Sequence, residues 1–156
     1  MVFDVQLQAS GEGSGRGVEG IRILLVDDYP DALDMWGLYL RSLGYEVTTA
    51  SDGRSAIDAA LAQRPDVIIM DLELPVMSGF DAARQLRSDP RTAEVPLIAA
   101  TGYSHAKQLD QAREAGFDAI VVKPCEPSTL AGEIERLLAA KSPARGQDDA
   151  GKSLPA

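Results

Sequence analysis

A single cysteine, Cys125, stands among 156 residues, so the chain can close no disulfide of its own and suits a reducing compartment. No apolar run approaches the roughly 20 residues that a membrane-spanning helix needs. The opening residues, MVFDVQLQAS, lack the basic start and apolar core of a secretory signal. Positive charge is also scarce: 15 lysines and arginines face 24 acidic residues, for a net charge of -9. A field of that sign repels a phosphate backbone and argues against direct contact with nucleic acid. These absences predict a cytoplasmic protein with no membrane and no nucleic-acid partner. The one histidine, His105, could serve as a phosphodonor or metal ligand but reads more simply as an exposed residue opening a helix.

Against this background one stretch stands out, IRILLVDDYP at residues 21 to 30. An apolar run of this kind buries itself, yet it ends in two adjacent carboxylates, Asp27 and Asp28. At about 4 Å and an effective dielectric near 20, such a pair repels by roughly 4 kcal/mol. The pair must therefore be solvated or compensated. Similar runs recur: YEVTTA, DVIIM, VPLIAA and AIVV read as further strands, several apolar throughout as in a sheet covered on both faces. Amphipathic stretches separate them. Ala32, Met35, Tyr39, Leu40 and Leu43 recur at helical spacing behind Pro30, and Gly44 offers a C-terminal cap. Further helices are expected over 53–63, 80–87, 104–115 and 126–140. Alternation of five strands with five helices predicts the α/β class, a doubly wound five-stranded parallel sheet.

The ends of the chain differ in composition. Residues 1–20 read as a flexible N-terminal extension whose SGEGSGRGVEG is a glycine-rich linker. Residues 141–156, KSPARGQDDAGKSLPA, have almost nothing to bury and are expected to form a disordered tail. The domain is assigned to 21–140, and about 120 residues suffice to bury roughly two thirds of the unfolded surface.

Ligands of open α/β sheets bind beyond the carboxyl ends of the strands. The first strand ends in Asp27 and Asp28, the third in Asp71, the fourth in Thr101 and the fifth in Lys123. Three carboxylates, a hydroxyl and an ammonium thus fall on one edge. Oxygen ligands of this kind suit magnesium, which commonly combines one or two carboxylates with a phosphate. The lysine and hydroxyl suit the phosphoryl group itself. Each residue has a plainer role as well, since an Asp after a strand often caps a helix and Asp71 could shape the turn before Pro75 and Gly79. Two phosphate-binding patterns fail on context. GRGVEG (15–20) precedes a strand, and GQDDAGKS (146–153) follows a helix and carries two acids where phosphates would lie.

The ordered segments VDDYPDAL, DVIIMDLELPVMSGFDAARQLR, PLIAATGY and VVKPCEP resemble the receiver domain of two-component response regulators, over about residues 21 to 140. The resemblance implies a flavodoxin-like sheet of order 2-1-3-4-5. It implies phosphoryl transfer to Asp71 from a sensor histidine kinase or histidine phosphotransfer protein. It implies Mg2+ held by Asp28, Asp71 and the backbone carbonyl of Glu73, with Asp27 acting mainly through a metal-bound water. Thr101 and Lys123 then correspond to the residues that meet the phosphoryl oxygens. Pro124 follows Lys123 through a bond often cis in the family, and Glu73 and Tyr103 occupy positions that modulate phosphoryl loss. One departure is Ile120, where many relatives carry an aromatic ring in the fifth strand. The resemblance implies a stand-alone receiver that is no enzyme beyond its own phosphorylation and dephosphorylation, and that signals to an unknown downstream protein or along a relay. A magnesium-dependent aspartyl-phosphate phosphohydrolase and an unphosphorylated scaffold are the competing readings.

Overall fold

The computed structural model describes residues 20–102 and 105–147. Strands β1 (Arg22–Val26), β2 (Glu46–Ala50), β3 (Val67–Met70), β4 (Leu97–Thr101) and β5 (Ala119–Val122) form one parallel sheet in the order β2-β1-β3-β4-β5. Between and after them run α1 (Pro30–Ser42), α2 (Gly53–Gln63), α3 (Gly79–Ser88), α4 (Ala106–Ala115) and α5 (Pro127–Gln147). Class, strand number and order are those expected.

Successive strand residues point to opposite faces, and the core divides accordingly. Leu24, Val26, Ile68 and Met70 pack with α2, α3 and α4 on one face. Ile23, Leu25, Val67 and Ile69 pack on the other with Trp36 and Leu40 of α1 and with Leu130 and Ile134 of α5. Covered on both faces, β3 is buried at all four positions, which is why it reads as an unbroken apolar run. Trp36 is therefore core, and Cys125 packs against the same cluster. Helix starts follow local chemistry. Asp52 accepts the Ser55 N–H at 2.8 Å, Ser78 accepts the Asp81 N–H at 3.1 Å, and Pro30 opens α1.

The last helix departs from expectation. Its backbone stays helical to Gln147, seven residues past the boundary placed at 140, although Pro143 and Gly146 disfavour helix. Composition reports what a segment can bury, whereas a formed helix propagates at one hydrogen bond per added residue without burying anything. Within that extension Lys141 donates to the Glu94 carbonyl, tying α5 to the loop before β4. Residues 1–19 and 148–156, expected to be an extension and a tail, lie outside the described residues.

The β3–α3 loop holds one conformation the sequence does not advertise. Val76 has φ +69° and is 82% exposed, and the Met77 N–H donates to the Pro75 carbonyl at 2.7 Å across it. A three-residue turn with positive φ at a β-branched residue is strained. Val76→Gly should therefore stabilise the protein by about 1 kcal/mol, since little burial is lost. Urea unfolding checks this, and a lowered midpoint would show that the turn holds no strain.

Candidate functional site

Strand pairing brings the site together. The Asp27 N–H donates to the Ala50 carbonyl at 3.2 Å, and the Asp71 N–H donates to the Val26 carbonyl at 3.0 Å. The ladders of β1 with β2 and β3 therefore extend one residue past the strands and set both aspartates at the carboxyl edge. Thr101 lies beside Val122 in the β4–β5 register, and its carbonyl accepts the Lys123 N–H at 2.7 Å. Carboxylate oxygens of Asp27, Asp28 and Asp71 lie within 4.8 Å of one another. The Lys123–Pro124 peptide is cis.

Charge compensation is unequal across the triad. Asp27 is buried, and its carboxylate accepts Lys123 Nζ at 3.0 Å and the Tyr29 N–H at 3.0 Å. The same ammonium reaches Asp71 Oδ2 at 3.4 Å, while Asp71 Oδ1 accepts the Glu73 N–H at 3.2 Å. Asp28 is exposed. Two like charges can thus follow β1 because one is neutralised by Lys123 and the other stays in water. The receiver resemblance implies that Lys123 pairs with Asp71, and it does reach Asp71, but its shorter bond goes to Asp27.

Burial pushes the Asp71 carboxyl above the usual carboxylate range. The Glu73 N–H and the Lys123 ammonium oppose that shift, and the Asp27 charge adds to it. For Lys123, burial works against the charge, but the Asp27 hydrogen bond and the charges of Asp71 and Asp27 outweigh it and raise its pKa. Such shifts through burial and named partners are typical of working sites. Burial also raises the Cys125 thiol, against a smaller opposing effect from Lys123, so this sulfur is a poor nucleophile.

The loop behind Asp71 is closely packed. A Cβ on Gly79 would lie 2.2 Å from the Asp71 carbonyl oxygen, and the Gly79 N–H donates to the Leu72 carbonyl at 2.9 Å. Only glycine lets α3 start this close to the strand end. Beside Lys123 opens an apolar cleft of about 510 Å3 lined by Tyr29, Ala32, Met35, Trp36, Pro124 and Cys125. Sequence reading missed this cleft because it set Met35 on the inward apolar stripe of α1, whereas Met35 is 55% exposed and Trp36 is the buried residue. Glu73 is exposed two residues past Asp71, and Ile120 is partly buried against the α2–α3–α4 side of the core. Thr101 is buried, His105 is exposed at the start of α4, and Tyr103 lies outside the described residues.

A five-stranded parallel sheet of order 2-1-3-4-5, covered by helices on both faces and carrying an acidic triad and a lysine at its carboxyl edge, defines a flavodoxin-like α/β domain. Residues 23–135 match the response regulator receiver domain family, and the chain belongs to it. It is the receiver domain of a two-component response regulator. Similar curated proteins include the probable transcriptional regulatory protein TcrX of Mycobacterium tuberculosis, 40% identical over 118 residues, which are 76% of this chain and 50% of that protein. The DNA-binding response regulator MtrA of Mycolicibacterium smegmatis is 35% identical over 117 residues, 75% of this chain and 50% of that protein. The chain thus spans about half the length of the curated relatives it matches. Among solved structures, the receiver domain of the sensor histidine kinase PA1611 from Pseudomonas aeruginosa has a TM-score of 0.73 and 36% identity. That match covers 77% of this chain and 98% of that one, and the structure is described with a magnesium ion coordinated in its active site cleft. Chemotaxis response regulator CheY4 of Vibrio cholerae has a TM-score of 0.71 and 34% identity over 74% of this chain and 97% of that one. Among the described residues no helix is long and apolar enough to cross a membrane.

Proposed function

We propose that Asp71 accepts a phosphoryl group from a phosphohistidine donor in a magnesium-dependent reaction, and that the resulting acyl phosphate changes which protein the chain binds. The observation that carries this reading is the triad itself: three carboxylates within 4.8 Å at the strand ends, with one lysine bridging two of them. The donor set fits a hard cation, since Asp27, Asp28 and Asp71 offer only oxygen ligands and Asp28 stands open to solvent. The Glu73 backbone carbonyl completes the proposed set. A magnesium ion bound there would neutralise the charge that gathers on the transferring phosphoryl oxygens.

The remaining work belongs to the chain. An Asp71 carboxylate oxygen attacks phosphorus as the donor's N–P bond breaks, and the electron pair of that bond leaves with the imidazole. Lys123, already beside Asp71, accompanies the new negative charge. Thr101 supplies a hydroxyl from the next strand end. The donor, a sensor histidine kinase or histidine phosphotransfer protein, would rest on the cleft beside Tyr29 and Met35, where exposed apolar surface adjoins the site. Glu73 and Tyr103 would tune how long the phosphoryl group lasts. The chain is then no enzyme toward other substrates.

Acetyl phosphate tests the reading without a protein donor. With magnesium present, intact-mass measurement should show one added phosphoryl group, and EDTA should remove the gain. Para-nitrophenyl phosphate should give no multiple turnover. Sustained release of nitrophenol would instead make this a phosphohydrolase, and no gain with acetyl phosphate would favour a scaffold.

A further inference from the structure

On one side the sheet ends at β2, whose backbone groups alternate in direction along the strand. Its even-numbered residues face β1. The Glu46 N–H donates to the Ile21 carbonyl at 2.9 Å, and the Ala50 carbonyl accepts the Asp27 N–H at 3.2 Å. Val47 and Thr49 therefore turn their N–H and C=O groups away from the sheet. Val47, Thr48 and Thr49 are all β-branched and suit an extended strand, and an open edge of this kind is a template for another strand.

One of the outward groups is occupied. Arg41, in the last turn of α1, donates Nη2 to the Val47 carbonyl at 3.0 Å. Among the described residues its guanidinium makes no ion pair, so this carbonyl is what fixes its direction. Gly37 lies one helical turn earlier. A Cβ at Gly37 would sit 3.2 Å from Arg41 Nη1 and 3.8 Å from Arg41 Cζ. Glycine inside a helix weakens it relative to alanine, and here it leaves room for the guanidinium to lie along α1 and reach the edge of β2. The guanidinium N–H thus stands where the N–H of an added strand would.

The open row also matches itself. In an antiparallel pair with Val47 of one copy opposite Thr49 of the other, each outward N–H meets an outward C=O. Thr48 then faces Thr48 of the second copy, a favourable cross-strand pair, and Glu46 faces Ala50, so no acid meets an acid. Such a two-fold contact uses the same edge of both copies and closes at a dimer.

We propose that the outer edge of β2 is an interface for the same strand of a second copy, and that Arg41 holds it shut, because its bond to the Val47 carbonyl must break before the two strands can pair. The inference is independent of the phosphoryl-accepting reading above.

Sedimentation equilibrium and amide hydrogen exchange by NMR, both on the full chain, test it. Arg41→Ala should self-associate at least about tenfold more tightly than wild type, although it adds to the net negative charge by which copies repel. As concentration rises, exchange at the Val47 and Thr49 amides should slow in Arg41→Ala and stay unchanged in wild type. Gly37→Ala crowds the guanidinium without removing it and should act in the same direction by a smaller factor; it carries the test should Arg41→Ala fail to fold. Thr49→Pro removes an outward N–H that β1 does not use, so in the Arg41→Ala background it should return association to the wild-type level. Association of Arg41→Ala no tighter than that of wild type would overturn the role of Arg41, as would a Gly37→Ala protein that associates more weakly than wild type. An assembly larger than a dimer, or association that survives Thr49→Pro, would place the contact on another surface and overturn the interface.

Discussion

With magnesium and acetyl phosphate supplied, the wild-type chain should gain one phosphoryl group and Asp71→Asn should gain none. The substitution keeps the shape of the side chain and an oxygen that can accept the Glu73 N–H, which lies 3.2 Å from Asp71 Oδ1. It removes the anionic oxygen that would form the bond to phosphorus, and an amide is no substitute as nucleophile. The fold should survive. Lys123 retains Asp27 at 3.0 Å, and a neutral side chain no longer meets the burial cost that raises the Asp71 pKa. The melting midpoint should therefore stay within a few degrees of wild type, which separates loss of the acceptor from loss of structure. Intact mass after labelling, followed by peptide mapping, gives the readout. Equal labelling of both proteins would move the acceptor to another carboxylate.

How far the sequence discloses this site depends on what kind of information each residue carries. Asp27, Asp28, Asp71, Thr101 and Lys123 are legible because each ends an apolar run, and topology alone brings strand ends to one edge. The pairing inside that edge is not legible. Lys123 lies as far along its strand end as Asp71 along its own, and only in the folded chain does its shorter bond go to Asp27, 96 residues away. Arg87 is hidden for the same reason. On the sequence it is the basic residue expected in a helix's last turn, whereas in the fold it meets carbonyls of residues 6, 8 and 29 positions distant. Val76 carries an ordinary strand-former's name at a φ where glycine would be relaxed. Long-range hydrogen bonds and local strain leave no periodic trace, whereas burial does.

Lys123→Met should be the most destabilising change at the site, by about 3 kcal/mol in EDTA, because it strips from two neighbouring carboxylates the one cation that pairs with them among the described residues. Breaking a buried ion pair costs about 3–5 kcal/mol when one charge is left behind. The lower end applies here, since the Lys123 side chain keeps 26% of its surface in water. Asp27 is the group left stranded, being only 6% exposed and retaining just the Tyr29 N–H among its bonds described above. Two consequences distinguish charge from packing. Magnesium should stabilise Lys123→Met more than wild type, because a bound cation replaces the missing compensation and binding to the folded state alone adds to its stability. Asp27→Asn should offset much of the loss when combined with Lys123→Met, a coupling that a double-mutant cycle measures directly. Asp28→Ala provides the contrast. Its carboxylate is exposed, so relief of repulsion in the metal-free protein should be at most about 1 kcal/mol. Its loss should nevertheless weaken the magnesium response. A Lys123→Met protein as stable as wild type in EDTA, and no more responsive to magnesium, would show that Asp27 finds its compensation elsewhere.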